Sequence, residues 1–318
     1  MLHRVLAFVA CLVMLPPLQA QERGPAAGLV LGTATPGGSF PAFAEALVGA
    51  LRESDPGLAI ELKNTKGSSE NLTLLREGKL DLALVQGEYA YEALGAQGPD
   101  KPALTVAAPV DTAPGLFVVP AASLIRRVDD LRGKAVALGT RASGLTVIGR
   151  TVLQGSGIDP DHDITPVLLD HAGEGAGLVL EGKVAALWGA GFDWPSFKTL
   201  AESPGGARFF GPAPRTIEPI LALRPSLRRL TIPAGSFKGQ DEAIATVGSW
   251  SFILARPGLP DAVVSRLVEA IDRGRDALAQ RYRQGRESDP RNLPSAVPSA
   301  WLHPGTAAYL KRIGAGAP

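Results

Sequence analysis

Polar residues stand at two positions of the chain that proteins often use to bind small anions. Ser68 and Ser69 lie where a helix should begin, and serine is favoured there because its hydroxyl can satisfy a free backbone N–H. Gln86 follows a short apolar run at 80–85 that is typical of a buried strand. In open α/β sheets, ligands bind beyond the carboxyl ends of the strands, often at helix N-termini. Residues 67–94 therefore predict one wall of a ligand-binding site.

A Gly-rich turn at 33–39 repeats this arrangement between a predicted strand and a predicted helix. It matches neither G-x-G-x-x-G nor G-K-[ST], so it does not indicate a nucleotide-binding loop. One interpretation is a tight turn and nothing more. The other is a set of backbone N–H groups and hydroxyls that hold a carboxylate. The second interpretation makes Thr35, Gly38 and Ser39 candidate ligand-binding residues, together with Lys66 beside the neighbouring turn.

A third turn, at 139–146, again joins a predicted strand to a predicted helix and is rich in Gly, Ser and Thr. Arg141 in this turn is either a solvated surface residue or a fork for a ligand carboxylate. Because Lys66 and Arg141 lie beside different turns, we expect an acidic small molecule with one carboxylate held on each side of a cleft. The candidate ligand-binding residues of this turn are Thr140, Arg141, Ser143, Gly144 and Thr146.

An aromatic residue and an acidic residue follow the apolar strand predicted at 184–187. Trp188 either forms a wall of the cleft or belongs to the core, as large aromatic side chains often do. Asp193 ends the same glycine-containing segment, just before another predicted helix. Both residues are therefore candidate ligand-binding residues.

The sequence shows no set of residues with catalytic or metal-binding spacing. It contains four histidines and one cysteine, and it lacks H-E-x-x-H, a cysteine cluster and D-x-D-x-D-G. Ser143 does not lie in a G-x-S-x-G nucleophile turn. We therefore expect a binding protein that is not an enzyme and that holds no metal and no cofactor.

The composition is that of a folded protein with large cores. Of the 318 residues, 45% are hydrophobic and 20% are charged, which is enough for two ordinary domains. The formal net charge of +1 gives no electrostatic reason to expect nucleic acid or an anionic membrane surface as a partner.

Residues 1–20 resemble a cleavable signal peptide. Arg4 precedes an apolar segment at 5–15, and a small residue, Ala20, offers a cleavage site. The alternative is a membrane anchor, but a spanning helix needs about 20 apolar residues and this run is shorter. Cleavage would remove Cys11, the only cysteine, so the mature chain would have no disulfide and no thiol chemistry.

Periodicity and turn residues predict an alternation of strands and helices in the rest of the chain. Residues 212–245 are rich in Pro, Gly and Arg, show little periodicity and are expected to be irregular. The predicted strands are 28–32, 58–62, 80–85, 104–110, 115–119, 135–138, 164–169, 184–187, 208–211 and 246–255, and the clearest helices begin near 40, 68, 147, 172, 264 and 307.

Residues 67–86 read G-S-x-E-N-L-x-L-L-x-x-G-x-x-D-x-A-x-V-Q, and this pattern resembles the TAXI family of solute receptors. These are the extracytoplasmic binding proteins of some tripartite ATP-independent periplasmic (TRAP) transporters. Other blocks are similar to the family as well: the Gly-rich turn ending at Phe40, where an aromatic residue is usual, the G-x-x-x-S-G-x-T turn, and the H-P-G block that begins at His303. The resemblance extends from about residue 28 to 314 and makes Phe40 a candidate ligand-binding residue.

The resemblance implies an α/β, two-lobed type II periplasmic-binding-protein fold. Lobe 1 would contain residues 28–112 and 251–318, and lobe 2 would contain residues 113–250. The lobes would close on the ligand about hinges near 111–115 and 247–250, as in other hinged binding proteins.

The resemblance also implies a function. The protein would be a periplasmic monomer that binds glutamate, glutamine or a related C5 dicarboxylate and delivers it to the membrane subunits of a TRAP transporter. Two alternatives from other classes remain open: a periplasmic enzyme with the same two-lobed fold, and a ligand-sensing protein without a role in transport.

Overall fold

Strands and helices alternate through residues 28–98 and 103–316, the part of the chain that the computed structural model describes. The proposed signal peptide 1–20 and Cys11 lie outside the described residues. The strands are β1 (Leu29–Gly32), β2 (Ile60–Lys63), β3 (Leu82–Gln86), β4 (Thr105–Pro120), β5 (Ala135–Thr140), β6 (Thr165–Leu169), β7 (Ala186–Ala190), β8 (Ala207–Phe210), β9 (Leu227–Ile232) and β10 (Ile244–Ala255).

The helices lie mainly between these strands and after β10. They are α1 (Ser39–Ser54), α2 (Ser68–Arg76), α3 (Gly87–Gly95), α4 (Gly144–Gly155), α5 (Gly175–Leu180), α6 (Pro195–Glu202), α7 (Ile217–Leu223), α8 (Asp261–Arg273), α9 (Arg275–Arg281), α10 (Leu293–Ala296) and α11 (Pro304–Arg312). Short 3₁₀ turns occupy Val128–Leu131, Ala172–Glu174, Pro214–Thr216, Arg283–Glu287, Pro290–Asn292 and Ser299–Trp301.

The strands form two α/β units that share two long strands. In the first unit β1 pairs in parallel with β2 and β3, and β3 pairs antiparallel with β10. In the second unit β5 pairs in parallel with β6 and β7, and β7 pairs antiparallel with β4. The strand order is β2-β1-β3-β10-β4-β7-β5-β6, with β8 beside β4 and β9 beside β10.

β4 and β10 carry the chain between the two units and are hydrogen-bonded to each other where they cross. Gly248 pairs with Pro114, and Trp250 pairs with Thr112. Beyond this point β4 exchanges β10 for β7, beginning with Gly115. The crossing therefore falls at the predicted hinge segments. We keep the names lobe 1 and lobe 2 for the two units, while their independent movement stays a prediction.

Four clusters of buried apolar side chains form the core, and each cluster draws its buried members from one lobe. Two clusters lie in lobe 1, one under α1 and α8 and the other under α2 and α3. Two lie in lobe 2, one under α4 and α7 and the other under α5 and α6. Because helices cover both faces of each sheet, central strands such as β3 are buried along their whole length.

Three predictions about the elements need correction. β4 is one continuous strand of 16 residues where two shorter strands were expected, because it changes partner without ending. The stretch 212–245 is not irregular throughout: α7 packs on the buried face of α4, and β9 pairs with β10. The helix that was expected to begin near 264 is divided at Gly274 into α8 and α9.

Candidate ligand-binding crevice

A crevice lies between the lobes at the carboxyl ends of β1, β3, β5 and β7. Lobe 1 lines it with several residues of the turn 34–40, with the turn 66–68 and with Gln86. Lobe 2 lines it with residues that include Thr140 and Ser143. The crevice contains about 720 Å³ of atom-free space, including the part that is open to solvent. The crevice lies at the strand ends, where open α/β sheets bind their ligands.

Four helices begin at the crevice. The residue that precedes the first turn of each lines it: Gly38 for α1, Gly67 for α2, Gln86 for α3 and Ser143 for α4. The first turn of a helix carries backbone N–H groups without helical partners and the positive end of the helix dipole. No side chain caps α1, α2 or α3, whereas Ser143 Oγ accepts a hydrogen bond from Leu145 N. The crevice therefore presents several backbone donors to an anion.

Hydroxyl groups and one ammonium group add to these donors. Ser68 Oγ accepts a hydrogen bond from Gln86 N at 3.1 Å, which leaves its own proton free for donation. Among the described residues that line the crevice, Lys66 is the single lysine or arginine. The other hydroxyl side chains of the lining are Thr35, Ser39, Thr140, Ser143, Ser251 and Tyr282.

Hydrogen bonds join the lobes directly at the edge of the crevice. They run from Ala172 N to Thr35 Oγ1 (3.1 Å), from Trp194 Nε1 to Gly37 O (3.1 Å) and from Ser69 N to Ala142 O (3.2 Å). Each bond needs its two groups within about 3 Å, so the lobes are closed on each other in this structure.

Two glycines make this close approach possible. Gly37 has φ 78° and Gly67 has φ 121°, backbone conformations that favour glycine. A Cβ atom at Gly37 would lie 2.6 Å from the Cα of Gly173, and one at Gly67 would lie 3.2 Å from the carbonyl oxygen of Ala142. The lobes therefore meet backbone to backbone at these turns.

One buried carboxylate also faces the crevice, where β4 passes from lobe 1 to lobe 2. Asp111 is 6% exposed and belongs to the lining, as do Tyr282 and Ser251. The Tyr282 hydroxyl donates to Asp111 Oδ2 at 3.3 Å, and the Ser251 side chain forms a second hydrogen bond with the carboxylate. Burial raises the pKa of Asp111 well above its usual range, and the nearby Glu287 carboxylate acts in the same direction.

The sequence did not identify Asp111, Ser251, Tyr282 or Trp194 as site residues. A signal for Asp111 was present, because it is the one charged residue in β4. Tyr282 and Trp194 carried no such signal, since tyrosine and tryptophan are common in cores. Only the folded chain brings Tyr282 to Asp111 and Trp194 to Gly37.

The structure brings many of the predicted residues together in one lining. They come from four separate segments and from both lobes, as the two-sided cleft required. Contact with a ligand stays a prediction for each of them. They are Thr35, Gly38, Ser39, Phe40, Lys66, Ser68, Gln86, Thr140 and Ser143.

The placement of Trp188 in the cleft wall is corrected. The side chain is fully buried in the core of lobe 2, with its ring centroid 4.8 Å from that of Phe117. Its Nε1 donates to the carbonyl oxygen of Leu145 at 2.9 Å, which ties β7 to the first turn of α4. Trp188 therefore supports the crevice from behind and does not line it.

Gly144 and Thr146 also lie outside the lining, and both stabilise the structure beside it. A Cβ atom at Gly144 would lie 2.8 Å from the Cβ atom of Gln86, so this glycine permits close packing of the lobes. Thr146 Oγ1 donates to the carbonyl oxygen of Thr140 at 2.7 Å and fixes the turn between β5 and α4.

Ser69, Arg141 and Asp193 are the remaining candidates outside the lining. Ser69 is exposed and contributes its backbone N–H to the contact between the lobes. Arg141 is exposed, in agreement with the interpretation as a solvated surface residue. Asp193 Oδ2 accepts a hydrogen bond from Gln284 N at 3.4 Å, which holds the end of β7 against the turn that follows α9.

Residues 28–98 and 103–316 lack two features that would bear on function. These residues contain no group of three or more His, Cys, Asp or Glu side chains with the geometry to hold a metal ion. They also contain no helix that combines the length and apolar character needed to cross a bilayer.

Comparison with known proteins gives a family match over nearly the whole described chain. A model described as the NMT1-like family matches residues 31–314.

Solved structures share the fold at low sequence identity. MatC from Rhodopseudomonas palustris, solved with bound malate, gives a TM-score of 0.57 at 18% identity, over 82% of this chain and 89% of that chain. A protein from Bordetella bronchiseptica RB50 gives 0.52 at 15% identity, over 92% and 90%. OxyR from Corynebacterium glutamicum gives 0.53 at 12% identity, over 82% and 67%. At these identities the likeness concerns the fold alone.

Proposed function

Because the chain belongs to the NMT1-like family, a family of the periplasmic solute-binding type, we propose that it captures a small anionic organic ligand between its lobes. The observation that carries the proposal is the convergence of four helix N-termini on one crevice between two α/β lobes. Backbone donors fixed in this way attract negative charge without the desolvation cost of a buried cation.

The ligand class that we propose is glutamate, glutamine or a related C5 dicarboxylate. Lys66 supplies the positive side chain of the lining, and hydroxyls from both lobes supply further donors. The similarity of residues 67–86 to TAXI receptors supports an acidic or amino-acid ligand and delivery to the membrane subunits of a TRAP transporter. The proposed signal peptide would place the mature protein, a monomer, in the periplasm.

The chemistry of the crevice supports capture without transformation. Its lining offers donors, one ammonium group and one buried carboxylate, and the serines Ser68 and Ser143 are engaged with backbone N–H groups. A receptor returns its ligand unchanged, whereas an enzyme returns a product. Native mass spectrometry of freshly purified protein, followed by release and identification of any bound compound, distinguishes the two.

A thermal-shift screen of the chain from residue 21 onward tests the binding function. We expect one or more organic acids or amino acids to raise the unfolding temperature in a concentration-dependent manner, because a ligand that binds only the folded protein stabilises it. Replacement of Lys66 by alanine should weaken binding about tenfold to 150-fold, the effect of losing one charge-assisted hydrogen bond.

The matched control is Lys79→Ala, which removes an exposed lysine paired with Glu77 away from the crevice. This variant should bind as the wild-type chain does, since exposed ion pairs contribute little. If no acid or amino acid stabilises the wild-type protein, and no compound accompanies it in a native mass spectrum, the binding function is refuted.

A further inference from the structure

The crevice has two poles of opposite polarity. One pole is made of the N-termini of α1, α2, α3 and α4 together with Lys66, and it favours a negative group. The other is the Asp111 carboxylate, which is buried and belongs to the same lining. A ligand with carboxylates alone would satisfy the first pole and leave the second without a partner.

Two further carboxylates lie near Asp111, those of Glu287 and Asp193. Glu287 lies close by and accepts hydrogen bonds from the backbone N–H and the hydroxyl of Thr112, both at 2.6 Å. The Asp193 carboxylate adds a third negative group. No ion pair among the described residues involves any of these three carboxylates. Arg275 of α9 and Arg291 pair with Asp272 and Asp289.

Burial and the neighbouring carboxylates disfavour the anionic form of Asp111, and a ligand cation would stabilise that form. A buried carboxylate without a positive partner is costly, and an ammonium group offers three donors in a compact charge that could compensate it. Tyr282 and Ser251 each make one hydrogen bond to Asp111, so they orient it, and the carboxylate still has acceptor capacity for a ligand.

We propose that Asp111, oriented by Tyr282 and Ser251, binds the ammonium group of a zwitterionic amino acid whose carboxylate lies at the helix N-termini. This inference rests on the proposed function and narrows it. Among the proposed ligands it selects those that carry an amine, such as glutamate and glutamine, over dicarboxylates that lack one. It also replaces the expectation of one carboxylate per lobe with one carboxylate and one ammonium group.

The test compares each amino acid with the acid in which hydrogen replaces the ammonium group. Isothermal titration calorimetry with L-glutamate and glutarate forms the first pair, and the amino acid that stabilises the protein most in a screen of the standard twenty forms the second. We expect the amino acid to bind about 100-fold or more tightly than its partner acid, because loss of the amine leaves Asp111 unpaired.

The substitution Asp111→Asn should reduce this preference to about tenfold or less, since an amide cannot form the charged pair. The matched control is Asp276→Asn, the same change at an exposed position in α9, which should keep the wild-type preference. Tyr282→Phe removes only the orienting hydroxyl and should give an intermediate preference, so the proposal can be tested even if Asp111→Asn does not fold.

Three results would overturn the inference. Glutarate or another amine-free acid could bind as tightly as its amino acid, or the preference could survive in both Asp111→Asn and Tyr282→Phe. In these two cases the binding function stands and only the ammonium site falls. If no amino acid and no organic acid binds the wild-type chain, the binding function falls as well.

Discussion

At the scale of single residues, buried carboxylates distinguish this chain from an ordinary globular protein. Glu88 in the first turn of α3 is 3% exposed and accepts hydrogen bonds from Ser249 and Ser226, at 3.0 and 3.3 Å. Burial raises its pKa from the usual 4.5 to about 7, although the two serines and nearby Arg224 act in the opposite direction. The bonds to Ser226 and Ser249 link α3 of lobe 1 to β10 and the start of β9.

The raised pKa of Glu88 predicts a pH-dependent stability. A carboxyl group whose pKa is higher in the folded state stabilises the fold fully below about pH 4.5 and loses that contribution as the pH rises through about 7. The change amounts to about 3 kcal/mol in the free energy of unfolding, at about 1.4 kcal/mol per pKa unit. Glu88→Gln should abolish this part of the pH dependence in urea unfolding at pH 5 and pH 8.

Glu92→Gln provides the matched control, because Glu92 lies on the exposed side of the same helix. It should keep the pH dependence of the wild-type chain. Equal pH dependence in Glu88→Gln and Glu92→Gln would contradict the assignment of this titration to Glu88.

At the scale of elements, one side chain holds the strand ends that form the crevice. Asn71 of α2 is fully buried, and its Nδ2 donates to the carbonyl oxygens of Thr33 and Leu84, both at 2.8 Å. Thr33 follows β1 and Leu84 lies in β3, so α2 clamps two neighbouring strands. The N-terminus of α2 is thereby fixed against the crevice.

Removal of this clamp should destabilise lobe 1. Asn71→Ala leaves two buried carbonyl groups short of a donor and opens a small cavity, so we expect the free energy of unfolding to fall by about 2–4 kcal/mol. Thr73→Ala, an exposed change on the same helix, should cost less than about 0.5 kcal/mol. Denaturant unfolding monitored by circular dichroism measures both, and a similar loss in the two variants would count against the clamp.

Much of this element level could be predicted from the sequence, because it depends on local periodicity and turn chemistry. The serine at the start of α2, Gln86 at the end of β3 and the Gly/Ser turn before α4 were all identified in this way. His303, at the start of the H-P-G block, caps the last helix, because its Nδ1 accepts a hydrogen bond from Gly305 N.

The rest could not be predicted, because it depends on contacts between distant parts of the chain. The Asp111–Tyr282 bond joins residues 171 positions apart, and the Trp194–Gly37 bond joins residues 157 positions apart. Whether the Trp188 side chain faces the core or the crevice could not be predicted either. In β7 both faces are buried, so the alternation that reveals the inward face of an amphipathic strand is missing.

At the scale of the whole molecule, a hydrogen bond from Trp194 joins the two lobes. The side chain belongs to lobe 2 and lines the crevice, and its indole N–H donates to Gly37 of lobe 1. This bond can exist only while the lobes are closed, so it should slow opening and therefore ligand release.

Trp194→Phe should keep most of the buried aromatic contact with Phe197 and remove the bond. We expect ligand dissociation about fivefold to tenfold faster, which corresponds to the net value of about one hydrogen bond. Stopped-flow displacement measures the rate. Trp301→Phe is the control, since Trp301 packs on Tyr91 within lobe 1 and should leave the rate unchanged. Equal rates in wild type and Trp194→Phe would show that this hydrogen bond does not slow ligand release.

Because the chain passes between the lobes twice, in β4 and in β10, the order of synthesis affects how the lobes fold. Lobe 2 is one uninterrupted segment, whereas the sheet of lobe 1 places β10 between β3 and β4. The ribosome makes β10 after all the other strands, so the first half of lobe 1 lacks its central strand until almost all of lobe 2 has been made. The edges of β3 and β4 that β10 covers stay open until then, and unpaired strand edges of this kind favour aggregation during folding.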